Sequence, residues 1–205
     1  MPGDLYLLRA TALGVLDITL NGLPVSAECL APGWTDVART LQYQTLDVTD
    51  LLRPGANRLE IRVTDGWAVG HICWFGTAHY SPIRAVLAQV EALRDGGRDV
   101  IAGTGPHWSA RESSLTYADL QNGCDTRVAA DPGAPLDVIE VAPMVGECVA
   151  GVARRWCRSA ASRPGPAPGW ATNTSSTSVR TWSAGSSSTC GNTTVRPSPC
   201  ATRRS

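Results

Sequence analysis

Three groups of side chains in this sequence are of types that do chemistry. His71, Cys73 and His79 are metal-ligand types lying close together in the chain. Their spacing matches no standard zinc arrangement and no fourth ligand is evident, so a packed or surface role is expected for all three. Asp65-Gly66-Trp67 places a carboxylate two residues from an indole just after a strand-like segment. Loops gather at strand ends, and an exposed aromatic face can stack on a sugar ring. Against that, tryptophans in a β-domain are most often core, which is the ordinary expectation for Trp34, Trp67, Trp74 and Trp108. The third group is the 18 carboxylates, any two of which could serve as general acid and base if placed together. Asp47 and Asp50 flank a turn, Asp95 sits in one, and Glu60 alternates with apolar neighbours. Solvated surface and turn capping are therefore expected of them, and no residue is singled out as catalytic.

The elements that would position these groups are short strands. Leu16, Ile18 and Leu20 alternate with polar partners, and so do Leu59, Ile61 and Val63 in RLEIRV, which gives each segment one buried face. Asn21-Gly22 closes the first segment as a hairpin signal, because both residues tolerate positive φ. Arg53-Pro54-Gly55-Ala56-Asn57 reads as a turn before the second segment. AVLAQVEAL runs into Asp95-Gly96-Gly97, another turn, and DVIAG resumes a strand. Nothing over residues 1–120 reads as a long amphipathic helix. Strands every eight to twelve residues broken by Gly and Pro predict an all-β sandwich or jelly roll.

Composition narrows the class further. The formal net charge is zero over 205 residues, yet all 18 acids fall before residue 151. Residues 1–150 carry about −8, and residues 151–205, with eight arginines and no acid, about +8. Those arginines are scattered among Ser, Thr, Pro and Gly, so a nucleic-acid or membrane patch is not expected. No apolar run is long enough to span a bilayer. The first residues lack the basic and apolar regions of a signal peptide, which makes the cytoplasm the expected location. Seven cysteines without a CxxC pair are expected to be reduced thiols.

LNGLPV followed by LDVTDLLRPGANRLEIRV resembles the galactose-binding-like sandwich modules attached to many glycosidases. ATALGVLDITLNG, LAPGWTDVARTLQYQTLDVTDLLRPG and TDGWAVGHICWFG together resemble the N-terminal module of bacterial α-L-rhamnosidases over roughly residues 5–125. The pattern departs after Trp67, where the family often has an aromatic, a small residue and glycine, and this chain has Ala68-Val69-Gly70. The resemblance implies a galactose-binding-like jelly-roll β-sandwich over residues 1–145. It also implies a family reaction, hydrolysis of terminal α-L-rhamnose from glycosides, whose catalytic residues belong to a helical barrel with no counterpart here. A non-catalytic module of a truncated α-L-rhamnosidase is thus the expectation, with a free-standing L-rhamnose-binding protein as the alternative. Related modules bind L-rhamnose with calcium. By that resemblance, Asp65 and Trp67 are the candidate contacts for L-rhamnose-containing glycosides, and Asp65 the candidate calcium ligand.

Residues 151–205 read differently. Leu, Ile, Met, Phe, Tyr, Asp, Glu, Lys, His and Gln are all absent, and Ser and Thr make up 19 of the 55 residues. Such a segment buries too little apolar surface to offset the entropy of ordering, so a disordered C-terminal tail is predicted. Synonymous codons exist for Ser175 to Gly185 that, read from the third base, give VDFGQNLVGW. The same offset over Arg196 to Ser205 gives TVTLRHAEV. Both resemble the continuation of α-L-rhamnosidases, in family order, so a frameshift near Val152–Arg155 is expected. Amide exchange tests this reading of the tail. Protection should be confined to residues 1 to about 145, and slow exchange throughout 156–205 would contradict it.

Overall fold

A computed structural model describes residues 4–127, 133–141 and 146–151, and the backbone alone of 156–157, 176–183 and 193–195. The first six strands are β1 (Leu5–Leu13), β2 (Val15–Leu20), β3 (Leu23–Pro24), β4 (Glu28–Cys29), β5 (Thr40–Asp47) and β6 (Ala56–Thr64). One short helix, α1 (Gly66–Val69), separates them from β7 (Arg84–Arg94) and β8 (Gly97–Gly103). Then follow β9 (Ala110–Arg111), β10 (Leu115–Asp119), β11 (Gly123–Thr126), β12 (Pro135–Leu136), β13 (Val138–Glu140) and β14 (Glu147–Ala150). Backbone strands β15 (Trp156–Cys157), β16 (Ser176–Ser183) and β17 (Thr193–Val195) complete the set.

These strands form a jelly-roll β-sandwich. The larger sheet runs β13-β17-β7-β1-β5-β14 with β8 paired to β7, and the smaller runs β16-β6-β2-β3. β15 pairs with β4. The remainder of residues 151–205, on which the expectation of a disordered tail chiefly falls, lies outside the described residues.

Alternation builds the core as the sequence leads one to expect. Leu16, Ile18 and Leu20 of β2 are buried and stand opposite Val63, Ile61 and Leu59 of β6. On the larger sheet the inward face is smaller: Leu8 pairs with Val90, Ala10 with Ala88, and Ala12 with Val86. Alanines on that face let the branched side chains of the other sheet approach, and all of these residues join one apolar cluster that also takes in Trp108. Complete burial of each Leu, Ile or Val contributes roughly 1.5–3 kcal/mol, so this cluster carries most of the stability.

The two ends of the sandwich differ. At one end Asn21 (φ 54°) and Gly22 (φ 81°) make the hairpin turn the sequence signals. Asn21 does more than turn. Its Nδ2 donates to Leu51 O at 2.9 Å and to Asn57 Oδ1 at 2.8 Å, and its Oδ1 accepts from Arg58 N at 3.0 Å. Asn57 is 1% exposed and closes the Arg53–Asn57 turn. It accepts from Arg53 N at 2.8 Å and donates to Arg53 O at 2.8 Å and Gly55 O at 3.0 Å. At the other end the connection 66–83, the β9–β10 connection 112–114 and β10 itself gather around Asp65.

Truncating Asn57 strands the Asn21 amide and three backbone groups without replacing them. Asn57→Ala is expected to lower unfolding free energy by about 1–3 kcal/mol, read from the urea midpoint at unchanged m-value. A loss below about 0.5 kcal/mol would show the turn to be held by other means.

Candidate functional site

Asp65 sits between the last residue of β6 and the first of α1. The chain turns there because Gly66 adopts φ 52°, and a Cβ on Gly66 would lie 2.7 Å from Val15 N. That close approach fixes where the Asp65 carboxylate emerges. Arg84, the first residue of β7, donates its Nε to Asp65 Oδ1 at 2.5 Å. The pair forms one wall of a cavity of about 200 Å³, with Glu112, Thr116, Tyr117 and Arg127 along the others. Leu115 and Leu136 add an apolar portion.

Trp67 is half-buried and does not line this cavity. The candidates Asp65 and Trp67, neighbours in sequence, therefore do not line this cavity together. The other tryptophans divide in a way the sequence does not show. Trp108 is core at 6% exposure, whereas Trp34 and Trp74 are 56% and 87% exposed, contrary to the expectation of burial. Both exposed indoles lie in connections, where no alternation of faces tells inside from outside.

A carboxylate that the sequence reading passed over organises this end. Asp119, at the end of β10, has a side chain only 1% exposed. Its Oδ2 accepts from His71 N at 2.7 Å and lies 3.1 Å from His71 Nδ1. Its Oδ1 accepts from Gln121 N at 2.8 Å and Asn122 N at 2.9 Å. Gly70 is required beside it, because a Cβ there would meet Asp119 Oδ2 at 2.8 Å and Gly66 O at 2.5 Å. Burial alone would raise the pKa of Asp119, but the three backbone N–H groups and the His71 imidazole lower it to about 2. The loop so anchored presents Trp74 and Phe75 to solvent, with His79 between Phe75 and Tyr80 at centroid distances of 4.9 and 4.8 Å. His71, Cys73 and His79 thus have the packed and surface roles expected of them.

Glu91 is the second buried acid. It lies on the outward face of the larger sheet, 1% exposed, and accepts from Arg9 Nε at 3.0 Å and Gln89 Nε2 at 2.5 Å. Arg98 adds a third partner at 3.4 Å. Glu91 and Asp119 therefore correct the expectation that the acids lie on solvated surface. For Glu91 the signal is an acid inside the apolar run AVLAQVEAL. By contrast, Glu60 is half-buried on the outward face of β6, paired with Arg58 at 2.9 Å. Asp47 caps its turn through Thr49 N at 2.9 Å.

The arrangement bears on two kinds of chemistry. Acid–base hydrolysis needs two carboxylates that face one reacting bond. Here Asp65 and Glu112 line one cavity, but Asp65 is already held by Arg84, while Glu91 and Asp119 lie elsewhere with partners of their own. A hard cation needs six to eight oxygens. The Asp65 oxygen nearest such a site already faces a guanidinium, and among the described residues no three His, Cys, Asp or Glu side chains come together to hold a metal. The residues around Asp65 do not fit calcium. No helix among the described residues is long and apolar enough to cross a membrane.

Comparison with known proteins places this geometry in a family. Residues 6–129 match the α-L-rhamnosidase N-terminal domain. The α-L-rhamnosidase of Streptomyces avermitilis is 44% identical over 116 residues, covering 57% of this chain and 11% of that protein. That of Formosa agariphila is 29% identical over 119 residues, covering 57% of this chain and 13% of its own length. The chain therefore spans about an eighth or less of these relatives. Among solved structures, the Streptomyces avermitilis α-L-rhamnosidase complexed with L-rhamnose superposes with a TM-score of 0.56 at 41% identity, over 60% of this chain and 12% of that one. The native enzyme of Aspergillus terreus gives a TM-score of 0.56 at 26% identity, over 60% of this chain and 14% of its own.

The Asp119 geometry sets an acid limit on stability. Its pKa is lower folded than unfolded, so its contribution is present above the ordinary carboxylate range and is lost as pH falls through about 2. Stability followed by thermal unfolding should decline from about pH 4 toward pH 2. Asp119→Asn should be less stable than wild type at pH 7 and flatter across that window. An Asn variant with the wild-type acid profile would refute this assignment.

Proposed function

Because this chain belongs to the α-L-rhamnosidase N-terminal domain family, we propose that it works as a sugar-contacting, non-catalytic β-sandwich beside a catalytic unit that hydrolyses terminal α-L-rhamnosides. The observation that carries this reading is the extent of the match, which falls on the N-terminal domain and on 11–13% of each full-length relative. The side chains support it. Each buried carboxylate is committed to hydrogen-bond partners, which suits structural and binding roles. L-rhamnose-containing glycosides are the ligand class this reading assigns.

A second reading is favoured by one observation, the polar cavity at Asp65. On that reading the chain acts by itself as an L-rhamnose-binding protein. The two readings share the binding surface and differ in whether a catalytic partner is needed.

Both predict the same result for hydrolysis. The purified chain incubated with an aryl α-L-rhamnoside should release no phenol above background. Turnover that survives repurification and disappears when an acid within residues 1–150 is replaced would overturn the non-catalytic assignment.

A further inference from the structure

We infer that Asn122 is a site of spontaneous covalent modification, losing its side-chain nitrogen as ammonia through a cyclic imide with Gly123, and that His71 assists the departure of that nitrogen.

The chain holds two Asn-Gly pairs, Asn21-Gly22 and Asn122-Gly123, both at β-hairpins. In such a pair the glycine N can attack the asparagine Cγ, because no side chain on the glycine crowds the five-membered ring. The surroundings separate the two. Asn21 is fastened at both ends of its amide, through Nδ2 to Leu51 O and Asn57 Oδ1 and through Oδ1 to Arg58 N. Swinging its Cγ onto Gly22 N would break all three bonds in half-buried surroundings, which holds the amide out of reaction.

Asn122 is exposed, and Gly123 has φ 83° with nothing within 4 Å of the place a Cβ would take. The Asn122 N–H donates to Asp119 Oδ1 at 2.9 Å, which steadies the backbone while the side chain turns. Among the described residues the Asn122 side chain has one polar neighbour, His71, whose Nδ1 lies 2.7 Å from its Nδ2.

That neighbour favours the reaction. His71 Nδ1 also lies 3.1 Å from Asp119 Oδ2. A proton on Nδ1 finds an acceptor in the carboxylate but none in a planar amide nitrogen, whose lone pair is delocalised. Attack by Gly123 N turns Nδ2 into an amine with a free lone pair, which takes up the Nδ1 proton. The interaction thus strengthens as the reaction proceeds, which is the condition for acceleration.

Water is the one co-reactant. The bond from Gly123 N to Asn122 Cγ forms and the Cγ–Nδ2 bond breaks. The nitrogen leaves as ammonia with the proton from His71, and the Gly123 N–H restores that proton through solvent. Water then opens the ring: at Cγ it gives aspartate, and at the backbone carbonyl it gives isoaspartate. Nothing is oxidised or reduced. Either product sets a second carboxylate against the imidazole nitrogen that Asp119 already faces, and isoaspartate also lengthens the turn by one backbone atom.

The test is peptide mass spectrometry of the full chain kept for days at neutral pH, with isoaspartate resolved from aspartate by chromatography. We expect Asn122 to convert about tenfold or more faster than Asn21, with both products present. His71→Gln should slow conversion at Asn122 by about tenfold at unchanged circular dichroism, less than the roughly 10²-fold of an enzyme's own acid because water competes at an exposed turn. A purely structural role for His71 has the opposite sign, since a loosened hairpin reacts faster. Should that variant fail to fold, the comparison with Asn21 inside the wild-type chain carries the test. An intact Asn122, equal rates at the two sites, aspartate as the sole product, or a folded His71→Gln that converts as fast as wild type or faster overturns the inference.

Discussion

One buried carboxylate holds the loop end of this molecule together. Asp119 gathers the backbone N–H of His71 from the connection after α1 and the N–H groups of Gln121 and Asn122 from its own hairpin. An ionised group so thoroughly removed from water is tolerated because its charge is met by several donors at 2.7–3.1 Å. Satisfying it requires the 70–80 loop and the β10–β11 hairpin to lie side by side. That places Tyr117, two residues back along β10, on the cavity that Asp65 and Arg84 also line. Gly70 is the steric term of the same arrangement, since a side chain there would meet Asp119, and Gly66 lets the chain pass close to Val15.

The sandwich beneath this end has a separate origin. Its two sheets meet through alternating Leu, Ile and Val on one side and an alanine-rich face on the other, a packing that does not depend on Asp119. The larger buried polar groups find several partners, Asn57 in its turn, Glu91 among Arg9, Arg98 and Gln89, and Asp119 at the loop, whereas Gln44 Oε1 is buried without one among the described residues. The buried acids are thereby occupied by fixed partners.

The sequence discloses this structure unevenly, and the pattern has a physical cause. β2 and β6 are legible because their side chains alternate with period two, and Asn21-Gly22 is legible because few dipeptides accept two positive φ values. Local rules suffice there. The pairings that make the site join residues far apart: Asp65 with Arg84 across 19 positions, and Asp119 with His71 across 48. No periodicity marks them, and a buried aspartate looks like a turn aspartate when read alone. The tryptophans fail for a related reason. Trp108 joins the core and Trp74 stands in solvent, yet both lie outside the strands, where no alternation tells inside from outside. Family resemblance points to Asp65 and Trp67 together, whereas the fold keeps the first at the cavity and turns the second away from its lining.

The central claim is that Asp119 positions the loop and the hairpin without holding up the sandwich. Backbone amide chemical shifts of Asp119→Asn against wild type test it most directly. The account predicts large changes confined to residues 65–80 and 112–127, with the resonances of β1, β2, β6 and the Asn21–Asn57 end unmoved. Changes spread evenly through the core strands, or none at the His71, Gln121 and Asn122 amides, would contradict it.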